Sequence, residues 1–334
     1  MNGVPLNFYA SRDVGVTQRL PFTALLAIDS EDRFSNLQAA RDDTGALSTT
    51  LTRTPYSFTI TKNESIMNGF FTRLGLSEMV LPWIIPNINP KTNAITVLYN
   101  VGAGPVIVTL TLPNGFYRPA ELATAMQIAV RALNAGLSAF TIVYGANNLP
   151  NFSYATNNPA ATIAFLPMTQ SLVPGPNYYP YDTRTTRQLF DVLGFTTENV
   201  NTAVADAGGA TFCQAITYVD VVCLQLTANQ GLKDTMSQIT ARDVLARIYL
   251  TGNDVNNVPA SSANFCPPGC APFTVYRNFS QPKQIQWMPN QPVQSSLKFE
   301  LYDDQGDNLS SSDPFTFAGA NRTNWSLSIL VSEN

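Results

Sequence analysis

The amino-acid sequence predicts a mainly β protein: a single jelly-roll β-sandwich with an inserted α/β domain of strand-helix-strand type and an extended N-terminal arm. Short runs of alternating apolar and polar residues occur on both sides of a central segment, and the roughly eight strand candidates outside it suit a two-sheet jelly roll. The central segment contains a long amphipathic helix. We therefore predict an arm at 1–54, a discontinuous jelly roll at 55–100 and 213–334, and an insertion domain at 101–212.

The N-terminal segment shows little sustained periodicity and many small polar residues, so we expect an extended arm with local strand. The first clear strand follows the arm, because Tyr56, Phe58 and Ile60 alternate with serine and threonine and would share one face. Pro82 and Pro86 lie in the next strand-like run, which they confine to edge or bulge positions. Strand candidates outside the insertion continue at 79–86, 94–99, 218–226, 244–250, 273–276, 284–288, 297–302 and 325–331.

The insertion begins with a strand candidate at 106–112 that leads into the helix. Pro119 at a first-turn position and Glu121 near the positive helix end mark its start, and we expect Gly136 to stop it. Its apolar residues recur at helical spacing and would cover one face of a sheet: Leu122, Met126, Ala129, Val130 and Leu133. Strand candidates resume at 139–144, 151–154 and 162–166, and a second, short helix candidate at 184–193 ends at Gly194.

The composition is poor in charge. Charged residues make up 13% of the chain, about half of the ~25% usual for soluble domains, so Asn, Thr, Ser and Gln must supply the surface polarity. Such a surface suits permanent contact with neighbouring subunits, and it is equally typical of extracellular or viral β proteins. The net charge of -4 and the scattered Lys and Arg predict no direct nucleic-acid binding. No apolar window approaches the ~20 residues of a bilayer span, and no signal peptide is evident, so we expect neither membrane insertion nor classical secretion.

The sequence contains no histidine. This excludes Ser-His-Asp and Cys-His nucleophile activation and every zinc site that requires imidazole. An enzyme could still use carboxylates, Lys or Tyr, but the commonest solutions are absent. We expect no enzymatic activity, no catalytic residues, no bound metal and no cofactor. Residues 303–308 lack the alternating carboxylates and terminal Glu of a calcium loop, so we interpret them as a hairpin turn. Residues 29–33 group three carboxylates with an arginine, which we interpret as a stabilised turn joining the arm to the domain.

Four cysteines occur in the chain. Cys266 and Cys270 flank a Pro-Pro-Gly spacer, which is one residue longer than the spacer of zinc knuckles. Either a local disulfide closes this turn or the two residues are free thiols in a reducing compartment. Cys213 and Cys223 are ten residues apart, and Cys223 lies in a strand-like run.

The order of short motifs along the chain resembles that of the penton, or minor capsid, proteins of virophages, polinton-like viruses and related giant double-stranded DNA viruses. The resemblance covers most of the chain, from about residue 25 to the end. It is carried by Ile-Asp-Ser-Glu-Asp-Arg at 28–33, Tyr-Ser-Phe-Thr-Ile at 56–60, Pro-Trp-Ile-Ile-Pro-Asn-Ile at 82–88, Leu-Pro-Asn-Gly-Phe-Tyr at 112–117, Leu-Gly-Phe at 193–195 and Phe-Glu-Leu-Tyr-Asp-Asp-Gln-Gly at 299–306.

The resemblance implies a structural capsid protein that forms a homopentamer at the five-fold vertices of an icosahedral virion and contacts the major capsid protein. It implies that the insertion forms the outward part of the penton and the jelly roll the part at shell level. By position, Asp29, Asp32 and Arg33 would fix the entry of the arm into the sandwich, Gly115 would allow the strand-to-helix turn, and Gly194 would cap the short helix. The implied location is the virion, after assembly in the infected host cell.

Two other functions compete with this one. A virion attachment or spike protein could use the insertion to bind a host glycan, and exposure of aromatic residues such as Tyr178, Tyr179 and Tyr181 would favour this function. A carboxylate-based glycosidase would need two Asp or Glu side chains facing each other across a cleft. No pair in the sequence requires that arrangement.

Overall fold

The structure, a computed structural model, describes residues 23–34, 55–62, 64–67, 71–146, 148–167, 188–195, 205–227, 233–234, 242–250, 266, 269–280, 284–288, 292–293, 295–309 and 324–333. Antiparallel β-strands dominate these residues. In chain order the strands are β1 (Thr23–Asp29), β2 (Ser57–Thr61), β3 (Arg73–Trp83), β4 (Ala94–Asn100), β5 (Pro105–Thr111), β6 (Thr141–Tyr144), β7 (Phe152–Ala155), β8 (Thr162–Leu166), β9 (Ala205–Ala207), β10 (Tyr218–Val222), β11 (Lys233–Asp234), β12 (Arg242–Asp243), β13 (Ala246–Tyr249), β14 (Phe273–Asn278), β15 (Ile285–Gln286), β16 (Ser296–Asp303) and β17 (Ser326–Ser332). The helices are α1 (Pro119–Leu133), α2 (Leu189–Val192) and α3 (Leu224–Thr227), and 3₁₀ turns lie at Ser30–Phe34 and Ala135–Leu137.

The first sheet has the strand order β1-β17-β3-β14, and β15 pairs with the beginning of β3. Neighbouring strands of this sheet run antiparallel. Strand β17 stops pairing with β3 at Val80, so Pro82 pairs with Thr274 of β14 alone. Pro82 has no amide hydrogen to donate, and it lies in a part of β3 that has a neighbouring strand on one side only. This agrees with the predicted edge position.

The second sheet has the order β13-β10-β16-β2 and is also antiparallel. Its inward face carries the alternating large residues that the sequence predicted, since Phe58 and Ile60 of β2 are buried while Thr59 and Thr61 between and after them are exposed. Phe58 lies opposite Phe299 of β16, with the ring centroids 5.7 Å apart. Cross-strand aromatic pairs of this kind stabilise a sheet beyond the area they bury.

These two sheets enclose one apolar core, as in a β-sandwich. Trp325, just before β17 in the first sheet, lies 5.5 Å from Phe58 and 6.4 Å from Phe299 in the second, measured between ring centroids. Its indole Nε1 donates a hydrogen bond of 2.6 Å to the carbonyl oxygen of Pro55, so the polar atom of this buried ring is satisfied. We call this cluster the first core; its described members come from residues 28–85 and 215–331.

A second core contains buried residues between Ile88 and Cys213. It lies among two further antiparallel sheets, β5-β4-β8 and β6-β7-β9, and helix α1. Leu122, Met126 and Val130 of α1 are buried, which confirms the predicted stripe and its helical spacing. Helix α1 starts at Pro119 as predicted, but it ends at Leu133, and Gly136 lies in the following 3₁₀ turn, where its amide donates to Asn134 Oδ1.

Three features differ from the predicted organisation. Strand β1, which the sequence analysis placed in an extended arm, pairs over its whole length with β17 and buries Ile28 in the first core. Strand β4, which the sequence analysis placed in the jelly roll, packs in the second core through Ile95, Val97 and Tyr99. The 218–226 run, predicted as one strand, divides into β10 and the short helix α3. A local apolar pattern cannot reveal which sheet a strand joins, since both sheets bury the same kinds of side chain.

Residues 184–187 of the second helix candidate lie outside the described residues, and α2 covers the remainder of that candidate up to Val192. Among the described residues, helices with the length and apolar character required to span a membrane are absent.

Candidate functional site

The two cores meet where the chain leaves the first core, at 84–93, and where it returns, at 213–217. The hairpin turn at 303–308, which follows β16, contacts both segments. We call these three segments the junction. Two of the motifs that carry the family resemblance, at 82–88 and 299–306, end here, and a third, at 112–117, contacts Asn87 through Tyr117. The junction is therefore the candidate functional site.

Asn87 is the central side chain of the junction and is 1% exposed. Its Nδ2 donates to the carbonyl oxygens of Tyr117, at 2.8 Å, and Cys213, at 3.1 Å. Its Oδ1 accepts from the amide of Tyr117 at 3.0 Å, and its own amide donates to the carbonyl oxygen of Gly269 at 3.1 Å. One asparagine therefore holds the outgoing segment, the segment before α1, the returning segment and the Cys266–Cys270 loop together.

Gly115 lies next to this asparagine in the structure. Its backbone pairs with that of Ile88, with hydrogen bonds of 2.8 and 3.3 Å, so the two motif segments form a short antiparallel bridge. A Cβ atom at Gly115 would lie 3.1 Å from the ring of Tyr117. Close packing against this ring therefore favours glycine here, and the backbone does not adopt a left-handed conformation.

Lys91 forms the charged part of the junction. Its Nζ lies 2.6 Å from Asp307 Oδ2 and 3.1 Å from Asp303 Oδ2. The Lys91 side chain is 11% exposed, that of Asp303 is 1% exposed and that of Asp307 is 20% exposed. This is a largely buried ion pair between segments more than 200 residues apart, since Lys91 and Asp303 are separated by 212 positions.

Burial and the neighbouring opposite charge shift the pKa of each of these groups in opposite directions. Burial by itself would lower the pKa of Lys91, but the carboxylates of Asp303 and Asp307 outweigh it and raise the pKa of the ammonium group above its ordinary value. Burial raises the pKa of Asp303, and the Lys91 ammonium partly opposes this effect. The lysine is therefore charged at neutral pH, and the buried carboxylate depends on it for compensation.

Hydrogen bonds within the turn at 303–308 hold its carboxylates in place for this contact. Asp303 Oδ1 accepts hydrogen bonds from the amides of Gln305 and Asp307, at 3.0 and 2.8 Å, and Gly306 has a φ of +85°. Asp304 Oδ2 accepts from both the amide and the hydroxyl of Thr217, in the returning segment. The predicted hairpin turn is therefore present, and its carboxylates bind the outgoing and the returning segments of the chain.

Cys266 and Cys270 form a disulfide in the structure, with Cα atoms 5.6 Å apart. The loop they close presents the carbonyl oxygen of Gly269 to the amide of Asn87, and Gly269 has a φ of +93°, which favours glycine. A cavity of about 10 Å³ lies between this glycine and Ile216, which is room for a single water molecule. The disulfide loop therefore packs against the junction.

The other two cysteines are free and buried. Burial raises the pKa of the Cys223 thiol to about 12, and burial raises the pKa of Cys213 further. Both are therefore neutral, buried thiols at neutral pH, as expected of unreactive structural cysteines. Cys213 has a φ of +56°, and its carbonyl oxygen is one of the acceptors of Asn87.

Gly194 follows Leu193, the C-cap residue of α2. Its amide donates to the carbonyl oxygen of Asp191, and the amide of Phe195 donates to that of Phe190, which together form a Schellman motif. Gly194 has a φ of +74°, and a Cβ atom at this position would lie 2.5 Å from the carbonyl oxygen of Gly209. Both the backbone conformation and the space therefore require glycine at this helix end.

Asp29 and Asp32 lie at the end of β1 and in the 3₁₀ turn that follows. Asp29 Oδ1 accepts a hydrogen bond of 2.7 Å from the amide of Glu31, so it stabilises the start of the turn. Ser30 is fully buried, and it exchanges hydrogen bonds of 2.8 Å with the backbone of Trp325. The side chain of Arg33 lies outside the described residues.

Large apolar side chains are exposed on edge strands in both parts of the molecule. In the first sheet Leu25 of β1 is 58% exposed and Tyr276 of β14 is 49% exposed, and in the second sheet Tyr249 of β13 is 56% exposed. Around the second core the exposed examples are Ile107 of β5 and Val143 of β6. Unpaired edges that carry apolar side chains are prone to association, so a soluble monomer usually protects them.

No protein-family model matches the sequence, and no curated protein matches it either. A solved structure does. It is the crystal structure of selenomethionine-labelled mavirus penton protein. The two chains share 12% sequence identity with a TM-score of 0.47, and the similarity covers 95% of this chain and 100% of that one.

The sequence analysis did not single out Asn87, Lys91 or Thr217. A signal was available for Lys91, because it is the one charged residue between Glu78 and Arg118. An isolated charge in so long an apolar and neutral segment predicts a paired, buried group. Asn87 and Thr217 carried no such signal. The tyrosines at 178, 179 and 181 lie outside the described residues.

Proposed function

We propose that this chain is a structural penton protein, which forms the five-fold vertex of an icosahedral virion and contacts the major capsid protein. The observation that carries the proposal is the set of exposed apolar side chains on the edge strands of the sandwich, on β1 at one side and on β13 and β14 at the other. A subunit that packs side by side with neighbours in a ring buries such edges.

The strand order supports a jelly roll. Numbered along the chain, the eight strands β1, β2, β3, β10, β13, β14, β16 and β17 lie in the orders 1-8-3-6 and 5-4-7-2. The chain passes from one sheet to the other at every step except between β10 and β13. Two sheets of eight strands in total agree with a jelly roll, which is the fold that we propose for this part of the chain.

The second core supports an inserted domain between the third and fourth strands of that jelly roll. Its members run from Ile88 to Cys213, so we propose domain limits near these residues. The junction would then fix the orientation of the insertion on the sandwich, through one buried asparagine and one buried ion pair. In the vertex the insertion would form the outward part and the sandwich the part at shell level.

The proposed role is structural and not enzymatic. The carboxylates that come together at the junction, Asp303 and Asp307, face a lysine in a nearly closed contact instead of each other across a cleft. The proposed partners are further copies of the chain, as a pentamer, and the major capsid protein. The proposed location is the capsid vertex of a double-stranded DNA virus, assembled in the infected cell.

Particle imaging tests the proposal. Virus particles labelled with an antibody fragment against this chain should show additional density at the five-fold vertices, and unlabelled particles provide the control. Label on the three-fold faces of the particle or along fibres would overturn the vertex assignment. A particle that forms without the chain and retains empty vertices would support it.

A further inference from the structure

The sandwich has two opposite sides that differ in charge. We define the acidic flank as Leu25 and Ala27 of β1 with Asp29, Glu31 and Asp32 of the turn that follows. Strand β1 is the edge of the first sheet on this side, and β2 is the edge of the second. The carboxylates and the exposed leucine lie within eight residues of chain, so an apolar contact and negative charge are next to each other.

We define the basic flank as Arg247 and Tyr249 of β13 with Tyr276 and Arg277 of β14. These strands are the other edges of the two sheets. The Arg277 guanidinium donates to the carbonyl oxygen of Tyr249 at 3.0 Å, which joins the two edges. Both tyrosine rings are about half exposed.

The basic flank is internally ordered. The guanidinium carbon of Arg247 lies 3.9 Å from the ring centroid of Tyr218, and its nitrogens bind both carboxylate oxygens of Asp220 at 2.8 Å. Asp220 is fully buried, and the rings of Tyr218 and Tyr249 meet edge to face at 5.8 Å. Tyrosine and arginine are enriched at the centres of protein interfaces. Side chains that are already ordered also lose little conformational entropy on binding.

We infer that the acidic flank of one copy of this chain docks on the basic flank of the next copy, in a head-to-tail contact. A ring of identical subunits requires two different patches on opposite sides of each subunit. The two flanks meet this requirement, because they lie on opposite edges and each expose a large apolar side chain. Three carboxylates outnumber the single cation, Arg33, in residues 29–33, whereas Arg277 adds positive charge beside the Arg247–Asp220 pair. The inference rests on the proposed function and specifies the surface through which the copies meet.

A two-fold contact would place two acidic flanks against each other, and the repulsion between their carboxylates would oppose it. The same argument applies to two basic flanks, although Asp220 compensates Arg247 there. Opposite charge therefore favours the head-to-tail arrangement over the symmetric one. It also predicts that salt weakens the contact.

Charge reversal tests the contact. Self-association of the purified full-length chain is followed by sedimentation velocity at low salt, up to about 1 mM protein, where even weak contacts are populated. E31R and R277E should each weaken association by about tenfold or more, because each places like charges at the contact. The variant E31R/R277E, with both reversals in the same chain, should recover association, because positions 31 and 277 then carry opposite charges again.

K298E is the matched control, since Lys298 is an exposed lysine on an inner strand of the second sheet. It should associate as the wild type does. Thermal unfolding of each variant identifies any loss that comes from stability instead of contact. Recovery in E31R/R277E is a result that misfolding cannot produce.

Three outcomes would overturn the inference: a wild-type chain that remains monomeric throughout, single variants that associate normally, or a double variant that stays as weak as the single ones. An increase in association by E31R alone would indicate a symmetric contact between acidic flanks and would also overturn it. None of these results would change the assignment of the chain to the vertex, because that assignment is tested by particle imaging. Label away from the vertices would remove the proposed function whatever the sedimentation results.

Discussion

Asn87 shows how one small side chain can hold distant parts of a chain. Its amide group has a donor and an acceptor, and both are used toward backbone groups of Tyr117 and Cys213. The carbonyl group of Cys213 is bonded to Asn87 in a buried place, where no water replaces a lost partner. The asparagine therefore contributes through what it satisfies more than through the strength of any single bond.

We predict that N87A lowers the free energy of unfolding by about 1–3 kcal/mol, because it leaves the buried carbonyl group of Cys213 and the part-buried backbone groups of Tyr117 without their partner. Equilibrium unfolding in urea measures the change. N114A is the control, since Asn114 Oδ1 accepts an exposed hydrogen bond from Asn93 and should change stability little. Equal effects of the two variants would show that Asn87 has no special role.

The two buried thiols make stability depend on pH. Both thiols have pKa values near 8.5 in the unfolded chain, whereas burial raises the pKa of Cys223 to about 12 and raises that of Cys213 as well. Above pH 8.5 the unfolded chain therefore loses protons that the folded chain keeps. Stability falls as pH rises whenever the unfolded state binds fewer protons.

We predict that the free energy of unfolding decreases between pH 8.5 and 10, approaching about 1.4 kcal/mol per pH unit for each thiol at the upper end. The variant C213A/C223A should show a smaller decrease over the same range. The buried tyrosines, whose pKa values burial also raises, add to the decrease as the pH approaches 10, and they do so equally in both proteins. The difference between the two slopes therefore reports the thiols. Urea unfolding under reducing conditions at several pH values gives the slopes, and parallel slopes for the two proteins would contradict the prediction.

At the scale of elements, the turn after β16 binds both chain segments that connect the two cores. Asp303 and Asp307 bind Lys91 of the outgoing segment, and Asp304 binds Thr217 of the returning one. Each carboxylate acts on a segment far away in sequence. The turn therefore determines how the hairpin, the outgoing segment and the returning segment lie relative to one another.

We predict that K91M lowers the free energy of unfolding by about 3–5 kcal/mol, because it leaves Asp303 buried without compensation. Adding D303N and D307N to K91M should recover most of the loss, since the remaining amide oxygens can still accept the backbone hydrogen bonds of the turn. The measurement is again urea unfolding.

K298M provides the matched control for a lysine ion pair. Lys298 pairs with Glu300 at 2.9 Å, but its side chain is 50% exposed, so its removal should cost less than about 1 kcal/mol. If K91M were as mild as K298M, the buried pair would not stabilise the junction.

The local elements could be predicted from sequence where a single pattern decides them. Helix α1 and strand β2 have strong periodicity, and Gly306 with the aspartates around it has the composition that a tight turn needs. Strand β1 could not be predicted as a core strand, because only Ile28 of it is buried and most of its other side chains are exposed or half-buried. Its place comes from pairing with β17, about 300 residues away.

At the scale of the whole molecule, the chain has two cores joined by a short junction. Asn87 Nδ2 lies 3.1 Å from the carbonyl oxygen of Cys213, so the points where the chain leaves and re-enters the first core are adjacent. The three tryptophans, Trp83, Trp287 and Trp325, all belong to the first core. These facts allow the division of the chain to be tested directly.

We predict that replacing residues 88–212 with a short Gly/Asn linker leaves a sandwich that folds, because its ends are already close and its core residues are all retained. D303N and D307N are included, since Lys91 is removed with the insertion. Cooperative unfolding followed by tryptophan fluorescence is the measurement, and full-length K91M/D303N/D307N is the control. A deletion variant without a cooperative transition would show that the first core depends on the second.

The sequence by itself determined the mainly β class, the helix at 119–133, the turn residues and the low surface charge, because each of these follows from the side chains of neighbouring residues. The tertiary structure alone decided the order of strands in the two sheets, the membership of β1 and β4, and the contacts of Asn87 and Lys91. The reason is physical: Lys91 and Asp303 are 212 residues apart, and a pairing over that distance is selected by the fit of whole sheets and not by any local pattern.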